Sequence, residues 1–285
     1  MALVTGAGRG IGRAHALELA ARGAAVVVCD VGAGLDGTGR DASVAQAVAD
    51  EIVSRGGRAR ADASDVSSFA GGARAVDAAL DAFGRLDIVV NNAGLAVGEP
   101  IESVTDADLD RVLGVNFVGP VGTVRAAWPA LVGSGHGRVV NTVSEVAFDP
   151  RLSGGAVGYA AAKAAVWSLT LTLAEAGRAH GITVNAVSPA AFTRMNEAMF
   201  LERGRPAGLD LDPEHVARVV AWLASDDAAD VTGRVVHVAG EQHREYAVRR
   251  EAGTDLIARI ESALRGARPT ASPARREHLA NEGGS

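Results

Sequence analysis

The N-terminal segment contains the feature that most constrains the fold, a short apolar strand that leads through a glycine-rich turn into a helix. Residues 2–5 (ALVT) predict a buried strand, residues 6–12 (GAGRGIG) include four glycines, and a helical pattern follows up to Gly23. In such a turn the bare backbone N–H groups and the helix N-terminus face an anion. The segment therefore predicts a diphosphate-binding site of the kind that dinucleotides use.

Apolar strands and helical stretches alternate along most of the chain, which is typical of βαβ units. This alternation predicts an α/β fold, a single Rossmann-type domain with a doubly wound parallel sheet and a ligand site at the carboxyl ends of the strands. A length of 285 residues suits one such domain. The predicted strands lie near 2–5, 24–29, 57–61, 86–90, 138–143, 182–187 and 234–238.

The second predicted strand ends at Asp30, about 20 residues after the glycine turn. A carboxylate at this position can bind a ribose 2′-OH and repels a 2′-phosphate, which favours NAD over NADP. Arg9, inside the glycine turn, is a cation that could hold such a phosphate, so NADP remains the alternative.

The chain's only lysine, Lys163, follows Tyr159 by four residues in the sequence YAAAK, whereas the other 27 basic residues are arginines. The helical pattern from Tyr159 to about Arg178 places both side chains on one face. A cation near a phenol lowers its pKa from about 10 and favours proton exchange with a substrate oxygen. The alternative is a surface pair with a structural tyrosine.

With these motifs in order along the chain, the sequence resembles the short-chain dehydrogenase/reductase family over roughly residues 2–240. The individual motifs are short, but their order and spacing together are specific. The matching stretches are TGAGRGIG (5–12), Asp65-Val66, NNAG (91–94), Asn116 in GVNFVG, Ser144 in NTVSE, YAAAK (159–163), and Pro189 with Thr193 in SPAAFTRM.

The resemblance implies a role for each matching residue. Tyr159 would be the general acid/base, Lys163 would bind the nicotinamide ribose and lower the pKa of Tyr159, Ser144 would bind the substrate oxygen, and Asn116 would hold a helix kink and a water. The cofactor-binding residues would be Gly6, Arg9, Gly10, Ile11, Gly12, Asp30, Asp65, Val66, Asn92, Ala93, Gly94, Tyr159, Lys163, Pro189 and Thr193.

The chain departs from the family pattern between Ser144 and Tyr159, which are 15 residues apart, about two more than is usual in the family. The longer loop favours a changed substrate pocket, or a competing role for Ser153. Ser144 is preferred because it directly follows the strand predicted at 138–143.

Two segments remain for substrate choice and assembly. A lid is expected at approximately 190–212 within a catalytic domain of 1–240, and its Arg194, Arg203 and Arg205 either contact an anionic group such as a CoA phosphate or only water. The remaining residues, 241–285, form a C-terminal extension. Its first part, 241–267, is expected to be a helix that covers a neighbouring subunit, and its last part, 269–285, to be disordered.

Bulk properties exclude several classes of function. No apolar run approaches the roughly 20 residues of a membrane span, and no signal peptide is apparent, which predicts a cytoplasmic protein without a membrane partner. The single Cys29 allows no internal disulfide, and the seven histidines lack metal-ligand spacing. A net charge of −6 argues against nucleic acid. No metal is expected.

The sequence therefore predicts an NAD(H)-dependent oxidoreductase that interconverts a small-molecule secondary alcohol and a ketone, with a specialised metabolite or an acyl thioester as candidate substrates. One alternative is a redox-neutral epimerase or rearrangement that passes through a transient ketone. The other is a non-catalytic dinucleotide-binding protein. The resemblance also implies a homo-dimer or homo-tetramer.

Overall fold

The fold alternates strands and helices along the chain, as the sequence predicts. The computed structural model describes residues 1–96, 100–197, 201–202, 208–248, 257–260 and 262. The strands among these residues are β1 (Ala2–Thr5), β2 (Ala25–Cys29), β3 (Arg58–Asp62), β4 (Ile88–Asn91), β5 (Arg138–Thr142), β6 (Thr183–Ala190), β7 (Val235–Ala239) and β8 (Gln242–Tyr246). The main helices are α1 (Gly10–Ala21), α2 (Ser43–Ser54), α3 (Phe69–Phe83), α4 (Asp106–Leu113), α5 (Gly119–Ser134), α6 (Val157–Gly177) and α7 (Pro213–Leu223).

The eight strands form one sheet in the order β3-β2-β1-β4-β5-β6-β7-β8. All neighbouring pairs are parallel except β7 and β8. The chain moves outward from β1 to β3 on one side and returns to β4 on the other, so β1 and β4 flank the point where the strand order reverses. A crevice at the carboxyl ends of these two strands is the expected ligand site of such a sheet. The fold class predicted from the sequence is confirmed.

Both faces of the central part of the sheet are covered, which explains why β1, β2 and β4 are almost continuously apolar. Successive residues of β1 point to opposite faces: Val4 packs in a core with α1, α2 and α7, and Leu3 packs in a second core with α3, α5 and α6. The side chains that the sequence predicts to be functional therefore lie beyond these cores, at the carboxyl ends of the strands.

The C-terminal extension differs from the prediction at its start. Residues Gln242–Tyr246, expected to begin a helix, form β8, which pairs antiparallel with β7 from Ala239↔Gln242 to Val235↔Tyr246. Gly240, with φ of +58°, permits the tight reversal between the two strands. Residues Met1–Ala247 form one compact unit. In the second unit, from Val248 onwards, the described residues 257–260 and 262 are helical.

One helix is long and apolar enough to span a membrane, whereas the sequence analysis expects no such segment. The segment Val157–His180, α6 with its final 3₁₀ turn, has the length and composition of a span, with a mean hydropathy of 1.2. It packs against β6, α4 and the turn that precedes α5, and it carries Tyr159 and Lys163. We therefore interpret it as a core helix whose apolar composition comes from this packing.

Candidate active site

The glycine turn after β1 is a close-packed cradle that excludes side chains. A Cβ on Gly12 would lie 2.0 Å from the carbonyl oxygen of Gly6, and a Cβ on Gly6 would lie 2.7 Å from Cα of Ala93. Gly6 and Gly10 have φ of +63° and +53°, which favours glycine. The glycines of the turn therefore leave its backbone uncovered by side chains at the N-terminus of α1, which begins at Gly10 and includes Ile11.

The turn is tied to the end of β4 by a hydroxyl that the sequence analysis missed. Oγ1 of Thr5 accepts hydrogen bonds from the backbone N–H groups of Asn92 and Ala93, both at 3.1 Å. Nδ2 of Asn92 donates to the carbonyl oxygens of Thr5 and Gly6, also at 3.1 Å. Thr5 lies within the matched TGAGRGIG stretch, so its position in that motif was the available signal.

Asp30 follows β2 and is held in place by backbone N–H groups. Its Oδ2 accepts from the N–H of Gly8 at 2.8 Å, and its Oδ1 accepts from that of Gly32 at 2.7 Å. These bonds fix the carboxylate beside the glycine turn, where a cofactor ribose would lie in the predicted arrangement.

Two guanidinium groups lie beside Asp30. Nη1 of Arg9 and Nη2 of Arg194 donate to the same acceptor, the carbonyl oxygen of Ala33, at 3.2 and 3.0 Å. Burial, with Arg9 as the next cause, lowers the pKa of Arg194. Among the described residues neither Arg9 nor Arg194 forms an ion pair. The first part of the predicted lid thus reaches the loop after β2, while Arg203 and Arg205 lie outside the described residues.

The other predicted adenosine-side residues surround the same crevice. Asp65 forms an ion pair with Arg40 at 2.8 Å and accepts a hydrogen bond from the N–H of Ser67 at 3.0 Å. Val66 is buried. Hydrogen bonds and burial thus hold both residues at the end of β3, next to β2 in the sheet.

The nicotinamide-side residues lie across the glycine turn. Pro189 is in β6 opposite Val238 of β7, and a methyl carbon of Thr193 would lie 3.4 Å from a Cβ on Gly10. The backbone N–H of Thr193 donates to Oδ1 of Asn196 at 2.8 Å. Thr193 is therefore fixed directly over the turn.

Tyr159, at the start of α6, lies beside Ser144, which follows β5. Burial raises the pKa of the Tyr159 phenol above its usual value, and the neighbouring Ser144 side chain opposes that shift. Burial therefore sets the direction of the shift in this structure, and the expectation that Lys163 lowers the pKa of Tyr159 stays a prediction. The phenol is protonated at neutral pH.

Lys163 is almost fully buried, with 3% of its surface exposed. Its Nζ donates to the carbonyl oxygen of Thr142 at 2.9 Å and lies 5.7 Å from the centre of the Tyr159 ring. Burial lowers the pKa of the Lys163 ammonium from 10.5 to about 8. At pH 7 the group is still mainly charged, so it places a cation directly under the phenol.

Asn116 occupies a π-helical turn, Gly114–Val118, between α4 and α5. Its Nδ2 donates to the carbonyl oxygens of Leu95 and Val112 at 2.7 and 2.9 Å, and its Oδ1 accepts from the N–H of Leu95 at 3.3 Å. The side chain is fully buried. The kink therefore holds the loop after β4 against the helices.

Ser153, the competing candidate, is engaged within its own loop. Its Oγ accepts a hydrogen bond from the backbone N–H of Gly155 at 3.2 Å. Ser144, by contrast, lies close enough to the Tyr159 phenol to act on its pKa. The geometry favours Ser144 as the partner of Tyr159.

A buried polar chain supports the site and was missed from the sequence. Nδ2 of Asn91 donates to Oδ1 of Asn141 at 2.9 Å, and Nδ2 of Asn141 donates to Oγ1 of Thr170 at 3.0 Å. The chain links β4, β5 and α6. The available signal was an asparagine within each of two otherwise apolar strands.

The residues fit a nicotinamide dinucleotide. A Cβ on Gly94 would lie 3.2 Å from Oδ1 of Asn116 and 3.7 Å from Nζ of Lys163, so the glycine leaves open space beside the ammonium. The glycine cradle and Asp30 lie at the other end of the same crevice. Elsewhere in the described chain, no group of three His, Cys, Asp or Glu side chains is placed to hold a metal ion.

Comparison with known proteins agrees with this geometry. The family model described as short chain dehydrogenase matches residues 1–203. A hydroxyacyl-CoA dehydrogenase of Mycobacterium tuberculosis is 39% identical, over 85% of this chain and 78% of its own length. The peroxisomal multifunctional enzyme type 2 of mouse is 38% identical over 81% of this chain, which spans only 30% of that longer enzyme.

A solved structure shows the same arrangement. The crystal structure of a blue fluorescent protein from a metagenomic library, in complex with NADPH, has a TM-score of 0.74 and 35% identity, and the match covers 84% of this chain and 96% of that one. With its doubly wound sheet, glycine cradle and Tyr–Lys pair, the chain belongs to the short-chain dehydrogenase/reductase family. Its membership makes an oxidoreductase activity on a small molecule plausible.

Proposed function

We propose that the protein is an NAD(H)-dependent oxidoreductase that interconverts a secondary alcohol and a ketone. The observation that carries this proposal is the Tyr159 phenol, which lies beside Ser144 and above the buried Lys163 ammonium at the end of a dinucleotide cradle. A proton donor, an oxygen-binding hydroxyl and a cation are the groups that carbonyl reduction requires.

In this proposal the chain's residues bind, orient and move a proton. The glycine turn holds the diphosphate, Asp30 holds the adenosine ribose, and Lys163 holds the nicotinamide ribose. The nicotinamide, when bound, accepts or donates the hydride. Ser144 binds the substrate oxygen and Tyr159 gives it a proton during reduction. During oxidation, Tyr159 takes the proton from the alcohol, and the Lys163 ammonium stabilises the phenolate that must form first.

A hydroxyacyl thioester is the substrate class that we favour. The support is the printed name of the Mycobacterium tuberculosis relative, a hydroxyacyl-CoA dehydrogenase. This class has a secondary alcohol and a thioester in the same acyl chain. The cofactor preference is proposed from Asp30, whereas the NADPH bound to the solved relative supports NADP as the alternative.

The cellular setting is proposed in the same way. A cytoplasmic location is our prediction, although relatives with peroxisomal names exist. We also propose a homo-dimer or homo-tetramer, which rests on family membership.

The test is NADH formation from a panel of 3-hydroxyacyl thioesters and secondary alcohols, with Tyr159→Phe as the matched variant. We expect Tyr159→Phe to abolish turnover because the ring remains while the proton donor is lost, and to leave the Kd for NADH within a few-fold. Substantial activity in Tyr159→Phe would refute the role of Tyr159. Product formed without net NADH would instead favour the redox-neutral alternative.

A further inference from the structure

The strand β8 makes a direct contact with the loop that begins at Ser144. The hydroxyl of Tyr246, the last residue of β8, donates a hydrogen bond to Oε1 of Glu145 at 2.5 Å. The two residues are 101 positions apart in the sequence. Glu145 directly follows Ser144, so the hydrogen bond ends one residue from the hydroxyl that lies beside Tyr159.

Aromatic packing makes this contact part of a larger cluster. The rings of Tyr246 and Phe148 are stacked, with centroids 4.4 Å apart and planes at 20°. Phe148 in turn meets the edge of Trp167 in α6, at 4.5 Å. Trp167 is eight residues after Tyr159 on that helix. The loop after Ser144 is therefore held between β8 and the helix that carries Tyr159 and Lys163.

The charges at the contact favour a persistent hydrogen bond. Burial, and then the Glu145 carboxylate, raise the pKa of Tyr246 to about 12, so the phenol remains a donor. His237 of β7 is also close, with its Nδ1 at 3.7 Å from Oε1 of Glu145. A hydrogen bond to a charged acceptor is shorter and stronger than one between neutral groups.

The hydrogen bonds of the loop connect Glu145 to the active site. After Ser144 the backbone forms a 3₁₀ turn. In this turn the N–H of Ala147 donates to the carbonyl oxygen of Ser144 at 3.0 Å, and the N–H of Phe148 donates to the backbone carbonyl oxygen of Glu145 at 2.9 Å. Oγ of Ser144 also accepts from the N–H of Val146, at 3.5 Å. The orientation of the Ser144 side chain thus depends on the turn that Tyr246 holds.

We propose that Tyr246 is a positioning residue that acts through Glu145 to fix the Ser144 hydroxyl against the substrate oxygen. The inference rests on the proposed function of Ser144. It gives the first part of the C-terminal extension a role in the active site, since β8 lies beyond the point at which the family pattern was expected to end. It also explains how a longer loop between Ser144 and Tyr159 is kept ordered at its start.

The kinetic test combines Tyr246→Phe with Ser144→Ala. Tyr246→Phe keeps the stacked ring and removes only the hydroxyl, and we expect kcat to fall about tenfold through misplacement of Ser144, with the Kd for NADH unchanged. In the Ser144→Ala background the same substitution should cause no further loss. Glu145→Ala, a second variant, should reproduce this non-additivity. Independent, multiplicative losses or wild-type kcat in Tyr246→Phe would overturn the proposal.

The matched control lies on the same strand. Glu245 forms an exposed ion pair with Arg234 at 2.8 Å, next to Tyr246 in β8 but away from the loop. Glu245→Gln therefore weakens the pairing of β7 and β8 without reaching Ser144, and kcat should stay at the wild-type value. An equal loss in Glu245→Gln would show that any disturbance of β8 suffices, which would overturn the specific role of Tyr246.

A second readout separates this proposal from the proposed function. Hydrogen–deuterium exchange of the peptide covering residues 145–148 needs no substrate. We expect faster exchange in Tyr246→Phe than in wild type or Glu245→Gln. If wild type turns over no member of the panel, the proposed function fails while the exchange result still decides whether Tyr246 orders the turn. Unchanged exchange in Tyr246→Phe would overturn the positioning role.

Discussion

At the scale of single residues, Asp30 is a carboxylate that cannot easily turn away from the glycine turn. Both of its oxygens accept backbone hydrogen bonds, from Gly8 and Gly32. A 2′-phosphate at the adjoining ribose would meet a fixed negative charge, and Arg9 and Arg194 are the cations beside it. We propose that the balance between these charges sets the choice between NAD and NADP.

We therefore expect Asp30→Ala to reduce the preference for NADH over NADPH by about tenfold, or about 1.4 kcal/mol. The physical reason is that the repulsion is removed while both arginines remain. The measurement is the ratio of the two Kd values by nicotinamide fluorescence. Asp36→Ala is the control, since this exposed carboxylate in the same loop accepts hydrogen bonds from Thr38 and should not change the ratio. An unchanged ratio in Asp30→Ala would contradict the interpretation.

The sequence was informative about which residues gather at the site and uninformative about their protonation. The motif positions predicted Tyr159, Ser144 and Lys163 together, and the structure brings them together. The direction of the Tyr159 pKa depends on how deeply the phenol is buried, which no spacing encodes. The contact of Arg194 with Ala33 likewise joins positions 161 residues apart and depends on tertiary packing.

At the scale of the elements, α1 contains a fully buried histidine, His15. His15 has no exposed surface, and neither ring nitrogen has a hydrogen-bond partner among the described residues. Burial lowers the pKa of His15 from 6.5 to about 3. Between these two values the unfolded chain binds a proton that the folded protein does not, so the free energy of unfolding falls as the pH decreases below 6.5.

We expect His15→Leu to lose part of this acid sensitivity. As the pH decreases below about 6, His15 lowers the wild-type free energy of unfolding by up to about 1.4 kcal/mol per pH unit, and the variant should lack this decrease. Urea unfolding at pH 7.5, 6 and 5 measures the free energy of unfolding of both proteins. His136→Gln, at an exposed histidine, serves as the control and should keep the wild-type slope. An unchanged slope in His15→Leu would contradict the expectation.

The elements themselves were predictable to different degrees. Seven strands were found from the sequence, and most of them are apolar runs covered on both faces, as Val26, Val27 and Val28 illustrate. The strand β8 was missed because QHREY is mostly exposed at the edge of the sheet and has no apolar pattern. Its strand conformation comes from pairing with β7, which local sequence does not report.

At the scale of the whole molecule, the sheet concentrates the chemistry on one edge. Its cores cover both faces, and polar side chains at the carboxyl ends of β1, β2, β4 and β5 surround a single crevice. The cofactor proposed here would contact residues as distant in sequence as Gly6 and Thr193. Binding would therefore stabilise the whole Met1–Ala247 unit against global unfolding, in proportion to ligand concentration over Kd.

The single lysine makes it possible to measure how far cofactor binding stabilises the folded protein. A protease specific for lysine has one cleavage site in the chain, after Lys163, in the middle of the active-site helix and nearly inaccessible in the folded protein. Cleavage thus requires α6 to open, and free NADH at about 100 times its Kd should slow it about 100-fold. A rate insensitive to NADH would contradict binding along this helix. Cleavage after Lys163 therefore also measures how often the helix that carries the proposed catalytic residues unfolds.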